Sequence, residues 1–247
     1  MALEVNAATV AAGALLTALA TGLGAAPFLV ARSMPARWVG LANAAAAGVM
    51  LAASGTLMVE GADYSGPRVA AGALAGVAFV LVAGRLLGDR EHLHFGVLRG
   101  ADARKAIALV LVMTVHSVTE GVGVGVAYGG GEELGVFITL AIAVHNIPEG
   151  LAISLVLVPR GTSVGTAAWW SVFSSLPQPL LAVPAFLFVE AFFGVLPLGL
   201  GFAAGAMVWI SVADLLPDAL ASASRRSVAA TLALSLVAMT AFQQFVL

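Results

Sequence analysis

Cysteine is absent from the 247-residue chain, which excludes disulfides, thiolate metal sites and cysteine nucleophiles. Charge is scarce: 10% of the residues are Asp, Glu, Lys or Arg, against about 25% in an ordinary soluble domain. The net charge is only −2, and there is no basic tract to serve nucleic acid. No stretch reads as a separate soluble domain, so residues 1–247 are expected to form one transmembrane unit.

What is present is apolar side chain. Apolar residues make up 61% of the chain and the mean hydropathy is +1.04, which leaves an all-α polytopic membrane protein as the fitting class. The opening "MALEVNAATV" carries Glu4 and lacks the basic n-region of a cleavable signal, so the first apolar run is expected to be a retained helix. Runs of about 20 apolar residues fall at 7–30, 38–59, 68–88, 104–128, 134–158, 164–189, 194–217 and 227–246. They predict an eight-helix bundle. The connections are short, apart from the segment between Arg85 and Lys105.

Basic residues orient the bundle, because they concentrate in cytoplasmic loops. With the N-terminus outside, the inward connections hold Arg32, Arg37, Arg85, Arg90, Arg99, Arg104, Lys105, Arg160, Arg225 and Arg226. That is ten of the eleven basic residues; Arg68 is the exception. Glu60, Asp63, Glu132, Glu133 and Glu190 fall on outward connections, where solvation explains them. Both termini are therefore expected outside, in the plasma or inner membrane.

Two of the runs carry residues ill suited to lipid. "TVHSVTEGVG" (114–123) and "AVHNIPEGLA" (143–152) share the order His-x-x-x-Glu-Gly, 29 positions apart. Residues four apart lie on one helix face, so His116 stands one turn from Glu120 and His145 one turn from Glu149. The short "YGGGEE" connection makes the two runs antiparallel neighbours. Facing one another, they would bring two imidazoles and two carboxylates together at mid-membrane. Two carboxylates in low dielectric should not both ionise unaided; a dication neutralises both. Imidazole with carboxylate suits zinc, iron, manganese, cobalt or cadmium better than magnesium, calcium or cuprous copper. Hydrogen-bonded glue between helices is the plainer reading of one such pair. Two matched pairs on adjacent helices favour a functional site.

Pro148 is expected to kink its helix and to free the Val144 carbonyl. Gly121, Gly123, Gly125 and Gly150 are read as close-packing positions.

"HNIPEGLAIS" with "HSVTEG" resembles the ZIP (Zrt/Irt-like) family of divalent metal transporters, in its bacterial GufA-like and ZupT-like branch. "ALATGLGAAPFL" (18–29), "AAAAGVMLAAS" (44–54) and "GFAAGAMVWISVADLLPDAL" (201–220) extend the likeness along the chain. The resemblance implies a single ZIP-like transport domain of eight helices that imports metal, zinc foremost, with His116, Glu120, His145 and Glu149 as ligands. It implies no cofactor apart from the transported ion, and a homodimer is among the assemblies it allows. Some members have a second metal position; Ser117, Asn146 and Gln178 stand at those places. An amide where an acid would stand leads us to expect one strong site, with these three as auxiliary donors. Thr119 replaces a proline usual there, so a milder kink is expected.

Among the remaining polar residues, Asp214 and Asp218, one turn apart, either line an exit route or serve as capping and interhelical hydrogen-bond groups; Met50, with Asn43 and Ser54 at near-helical spacing, is a candidate to border the pathway, with packing the plainer reading. Glu91, His92 and His94 are expected in a solvated loop, a metal relay being the alternative reading. A competing reading is an intramembrane zinc-dependent hydrolase. It lacks a HExxH motif, since both motifs run His-x-x-x-Glu, and no nucleophile is evident. A purely structural bundle with buried polar clamps is the third.

Overall fold

A computed structural model describes residues 5–31, 33–88 and 100–246, all-helical with no strand among them. Arg32, Arg90, Glu91, His92, His94 and Arg99 lie outside the described residues. Helix α1 (Ala7–Leu23) starts at Asn6, whose side-chain oxygen accepts from the amides of Ala8 and Thr9 at 2.9 and 3.0 Å. A tight turn, Ala26–Leu29, follows. Helix α2 (Ala36–Gly88) is twice the length of a bilayer span and is broken at Ser65, whose φ of −169° and ψ of 102° are extended. Pro67, two residues on, contributes to the break: it has no amide hydrogen to donate to the Asp63 carbonyl, and its ring crowds that turn of helix. The limbs on either side, 36–64 and 66–88, match the second and third apolar runs.

Helix α3 (Gly100–Gly130) and α4 (Glu132–Leu157) are joined through Gly131 alone, at a φ of +137° that a side chain would strain. The expected antiparallel hairpin is present. Glu132 and Glu133 occupy the first turn of α4, where negative charge is favoured by the helix dipole. The sixth run, expected as one helix, divides into α5 (Val164–Ser174) and α6 (Pro177–Ala191) at Ser175–Leu176. The seventh comprises α7 (Leu196–Ile210), a widened π turn at Ser211–Leu215, and α8 (Leu216–Ser222). Helix α9 (Arg225–Val246) ends the described chain.

Six stretches among the described residues are long and apolar enough to cross a membrane: 7–29, 36–83, 132–160, 164–191, 193–222 and 225–245. The second of these, at 48 residues, contains the Ser65 break. The protein is thus a membrane-type helical bundle.

Glycine decides which helices touch backbone to backbone. A Cβ at Gly72 or Gly76 of α2 would lie 2.1 Å from a carbonyl oxygen of Leu198 or Phe202. Gly201 and Gly205 of α7 return the contact against Val69 and Ala73 at 2.2 Å. This seam joins the second limb of α2 to α7. A separate seam sets Gly121 and Gly125 of α3 against Gln178 and Ala182 of α6. Where there is no hydrophobic drive between helices in lipid, such close van der Waals contact is what associates them.

Arg68, the exception to the charge pattern, donates from Nη1 to the Gly194 carbonyl at 2.8 Å, and Tyr64 meets Phe193 edge-on. The corner of α2 is thereby fastened to the start of α7. Phe137, Ile138 and Ile142 of α4, Met50 and Leu57 of α2, and Leu200 and Met207 of α7 are fully buried in one cluster. They fill the half of the bundle towards the Gly131 turn. Met50 is a packing residue of this cluster, its carbonyl accepting from Ser54 Oγ at 2.7 Å.

Candidate metal site

Helices α3 and α4 lie antiparallel, so the middle turns of each face one another. His116 and Glu120 on α3 and His145 and Glu149 on α4 are all at most 3% exposed. Three of them converge: Glu120, His145 and Glu149 each place a ligand atom within 4.8 Å of the others. His116 is turned aside, its Nε2 lying 3.4 Å from Asp214 Oδ2 in the widened turn after α7.

The hydrogen bonds of His145 define what the cluster needs. Its Nδ1 lies 3.2 Å from the Ala141 carbonyl, which only accepts, so that nitrogen carries a proton. Its Nε2 then meets Glu120 Oε1 at 2.7 Å. A neutral imidazole and a carboxylate would there present two lone pairs to one another. One cation must sit between them: a proton, or a metal ion that takes its place. Glu149 Oε1 and Asn146 Oδ1 have no hydrogen-bond partner among the described residues, although both are buried. Leaving such atoms unsatisfied costs about 1–3 kcal/mol each, and the arrangement fits a site whose missing partner is a cation rather than a protein donor.

Around the cluster lies a ring of neutral donors. Gln178 Nε2 donates to Glu120 Oε2 at 2.5 Å. Gln178 Oε1 accepts from Thr17 Oγ1 at 2.6 Å and from Asn146 Nδ2 at 3.1 Å, and Asn146 Nδ2 also reaches the Thr17 carbonyl at 2.7 Å. Of the expected auxiliaries, Gln178 and Asn146 therefore meet each other and Glu120, while Ser117 stands apart from this set. Thr17 was not singled out from sequence. Its signal was slight: Thr17 and Thr21 stand one turn apart in an otherwise apolar run.

The glycine after each glutamate has a packing cause. A Cβ on Gly121 would sit 2.7 Å from the Gln178 carbonyl, and one on Gly150 would sit 1.7 Å from the Thr21 carbonyl. The repeated Glu-Gly thus admits α6 beside one acid and α1 beside the other.

A cavity of about 600 Å³ leads away from the cluster, lined by His116, Glu149, Asn43, Asp214 and Asp218 among others. Asp214 and Asp218, one turn apart, both lie on the wall of this cavity. Leu216 donates its amide to the Ser211 carbonyl five residues back, the wide turn that carries Asp214. Pro217, lacking an N–H for Ala213, contributes to this widening. A second recess, of about 390 Å³, lies at the other end of the bundle beside Glu60, Glu132 and Glu133.

Comparison with known proteins agrees with this geometry. The family model described as ZIP zinc transporter matches residues 88–241. A provisionally named zinc transporter of Arabidopsis thaliana is 48% identical over 96% of the chain, which spans 39% of that longer protein. The zinc transporter GufA of Myxococcus xanthus is 34% identical, with 83% of this chain and 85% of that protein covered. The zinc transporter ZupT of Corynebacterium efficiens is 33% identical, with 84% and 86% covered.

Proposed function

The chain belongs to the ZIP zinc transporter family, and on that premise we propose that it carries a divalent cation, zinc foremost, across the cell's plasma or inner membrane into the cytoplasm. The observation that carries the proposal is the convergence of Glu120, His145 and Glu149 within 4.8 Å, with buried lone pairs left over. Zinc accepts nitrogen at about 2.0–2.1 Å and carboxylate oxygen at about 2.0–2.2 Å. Iron, manganese, cobalt and cadmium remain candidates by the same ligand chemistry. His116, which lies by Asp214 in this conformation, would complete the set as fourth ligand by turning back to Glu120, and its approach to Asp214 offers a step by which the ion leaves.

Eight spans follow if the 36–83 stretch crosses twice, bending at Ser65, and α3 crosses once; the other five stretches cross once each. An even number of spans sets both termini on one side, and the concentration of basic residues supports that side being the outside, with Arg37, Arg85, Arg160, Arg225 and Arg226 facing inward. The cavity beside Asp214 and Asp218 then opens inward, while Phe137, Ile142, Leu57 and Met207 seal the outer half. Alternating access would open the outer half towards the recess at Glu60 and Glu132 and close the inner one. The chain's family is one of transporters rather than enzymes.

The test is uptake of zinc by liposomes containing the purified protein. His145→Ala combined with Glu149→Ala should abolish uptake while helical content and elution volume stay as in wild type. Undiminished uptake by that double variant would refute the assignment.

A further inference from the structure

We propose that the end of α9 is an outer strap: Phe242 and Gln243 tie α4 to α2 beneath the recess at Glu60 and so hold the outer half of the bundle shut. The inference rests on the reading of the chain as a transporter whose outer half opens, and adds the element that keeps it closed.

The recess has α2 on one wall, through Glu60, and the start of α4 on the other, through Glu132, Glu133 and Leu134. Thr56 lies one turn further in than Glu60, and Phe137 one turn further in than Glu133. Both are buried, Phe137 completely. His145 follows Phe137 by two more turns, about 12 Å along the helix axis. Phe137 therefore stands between the recess and the metal cluster.

Adjacent residues of α9 reach the two walls separately. The Phe242 ring stacks on Phe137, with centroids 6.4 Å apart and planes at 26°. Gln243 Oε1 accepts from Thr56 Oγ1 at 2.8 Å. A hydrogen bond between helices in apolar surroundings fixes how α9 is rotated on α2, and with it the aim of the neighbouring ring.

The two attachments differ in kind. Against α2, the helix is moored by backbone: a Cβ on Gly48 would lie 2.5 Å from the Leu232 carbonyl, and Val228 packs with Ala44. Against α4 it offers one ring to another. Such a stack is held by area and by the ring quadrupoles, and parting it leaves no polar group unpaired. Outward opening thus releases the α4 side and keeps the α2 side in place. Phe137 leaves Phe242, and the space between Glu133 and Ile142 joins the recess.

Ile142→Cys reports that opening, since Ile142 is fully buried and the chain has no thiol of its own. In liposomes, a membrane-impermeant thiol reagent is applied from the side opposite Arg160. Adding Phe242→Ala should speed the reaction about threefold or more, the shift that loss of one aromatic pair gives a two-state equilibrium. Gln243→Ala should act in the same direction. Phe245→Ala, on the same helix but 88% exposed, should leave the rate unchanged. In a second arm, Phe137→Cys and Phe242→Cys are joined by a cleavable bifunctional thiol reagent. Zinc uptake should stop on cross-linking and return on cleavage, a reversal that misfolding does not show. An unchanged reporter rate in folded Phe242→Ala, or, should that variant not fold, undiminished uptake by the cross-linked pair, would overturn the inference. Absence of zinc uptake by wild-type protein would instead defeat the functional reading, and the reporter rates would still measure the strap.

Discussion

At position 145 an imidazole is held between two acceptors, the Ala141 carbonyl on one nitrogen and Glu120 Oε1 on the other. The proton that this pairing requires competes with metal for the same atoms. Zinc affinity should therefore rise with pH, by up to about tenfold per unit for each proton displaced. Isothermal titration at about pH 6 and about pH 7.5 measures it; an affinity independent of pH would mean that no proton is exchanged in that contact. The residue types and their one-turn spacing were legible in the two His-x-x-x-Glu motifs, because helical periodicity alone puts each pair on one face. The aim of His116 was not legible: its Nε2 lies by Asp214, roughly 100 positions along the chain, and no local pattern relates the two.

Helix pairing depends on what glycine leaves open. Gly150 of α4 allows α1 to cross with the Thr21 carbonyl where a Cβ would stand, 1.7 Å away. The obstruction is backbone, so it cannot rotate aside. Gly150→Ala should lower stability by about 1–3 kcal/mol or more, as overpacking does. Gly55→Ala, with nothing within 4 Å of its added Cβ, should stay within about 0.5 kcal/mol of wild type. Thermal unfolding in detergent distinguishes them, and equal loss in both would show that helix crossing is not the cause. The same element scale shows where sequence reading stops. The connection between the second and third apolar runs, which holds Pro67, coincides with the bend in α2, because a proline breaks a helix locally. The sixth run, expected as one helix, also carries a proline, Pro177, and the division at Ser175–Leu176 brings Gln178 to Glu120.

For the molecule as a whole, one end is sealed and the other open. Absence of native cysteine makes this directly measurable, because a single introduced thiol has no competitor. Leu155 lines the cavity, and Leu155→Cys should react with a membrane-impermeant thiol reagent applied from the Arg160 side, more slowly once zinc is bound. Ile142 is fully buried in the sealed half, and Ile142→Cys should stay unreactive in this conformation. Reaction at Leu155 only from the opposite side would invert the proposed orientation.

Composition and periodicity by themselves determined a membrane-type helical bundle, the α3–α4 hairpin and the four motif residues, since apolar run length, charge bias and helical spacing are all local properties of the chain. Tertiary structure alone decided that Glu120, His145 and Glu149 meet while His116 turns to Asp214, and that Gln178, Thr17 and Asn146 join around Glu120. Those contacts connect residues far apart in sequence, and they exist because glycine-lined crossings bring α1, α4 and α6 within hydrogen-bond reach of α3.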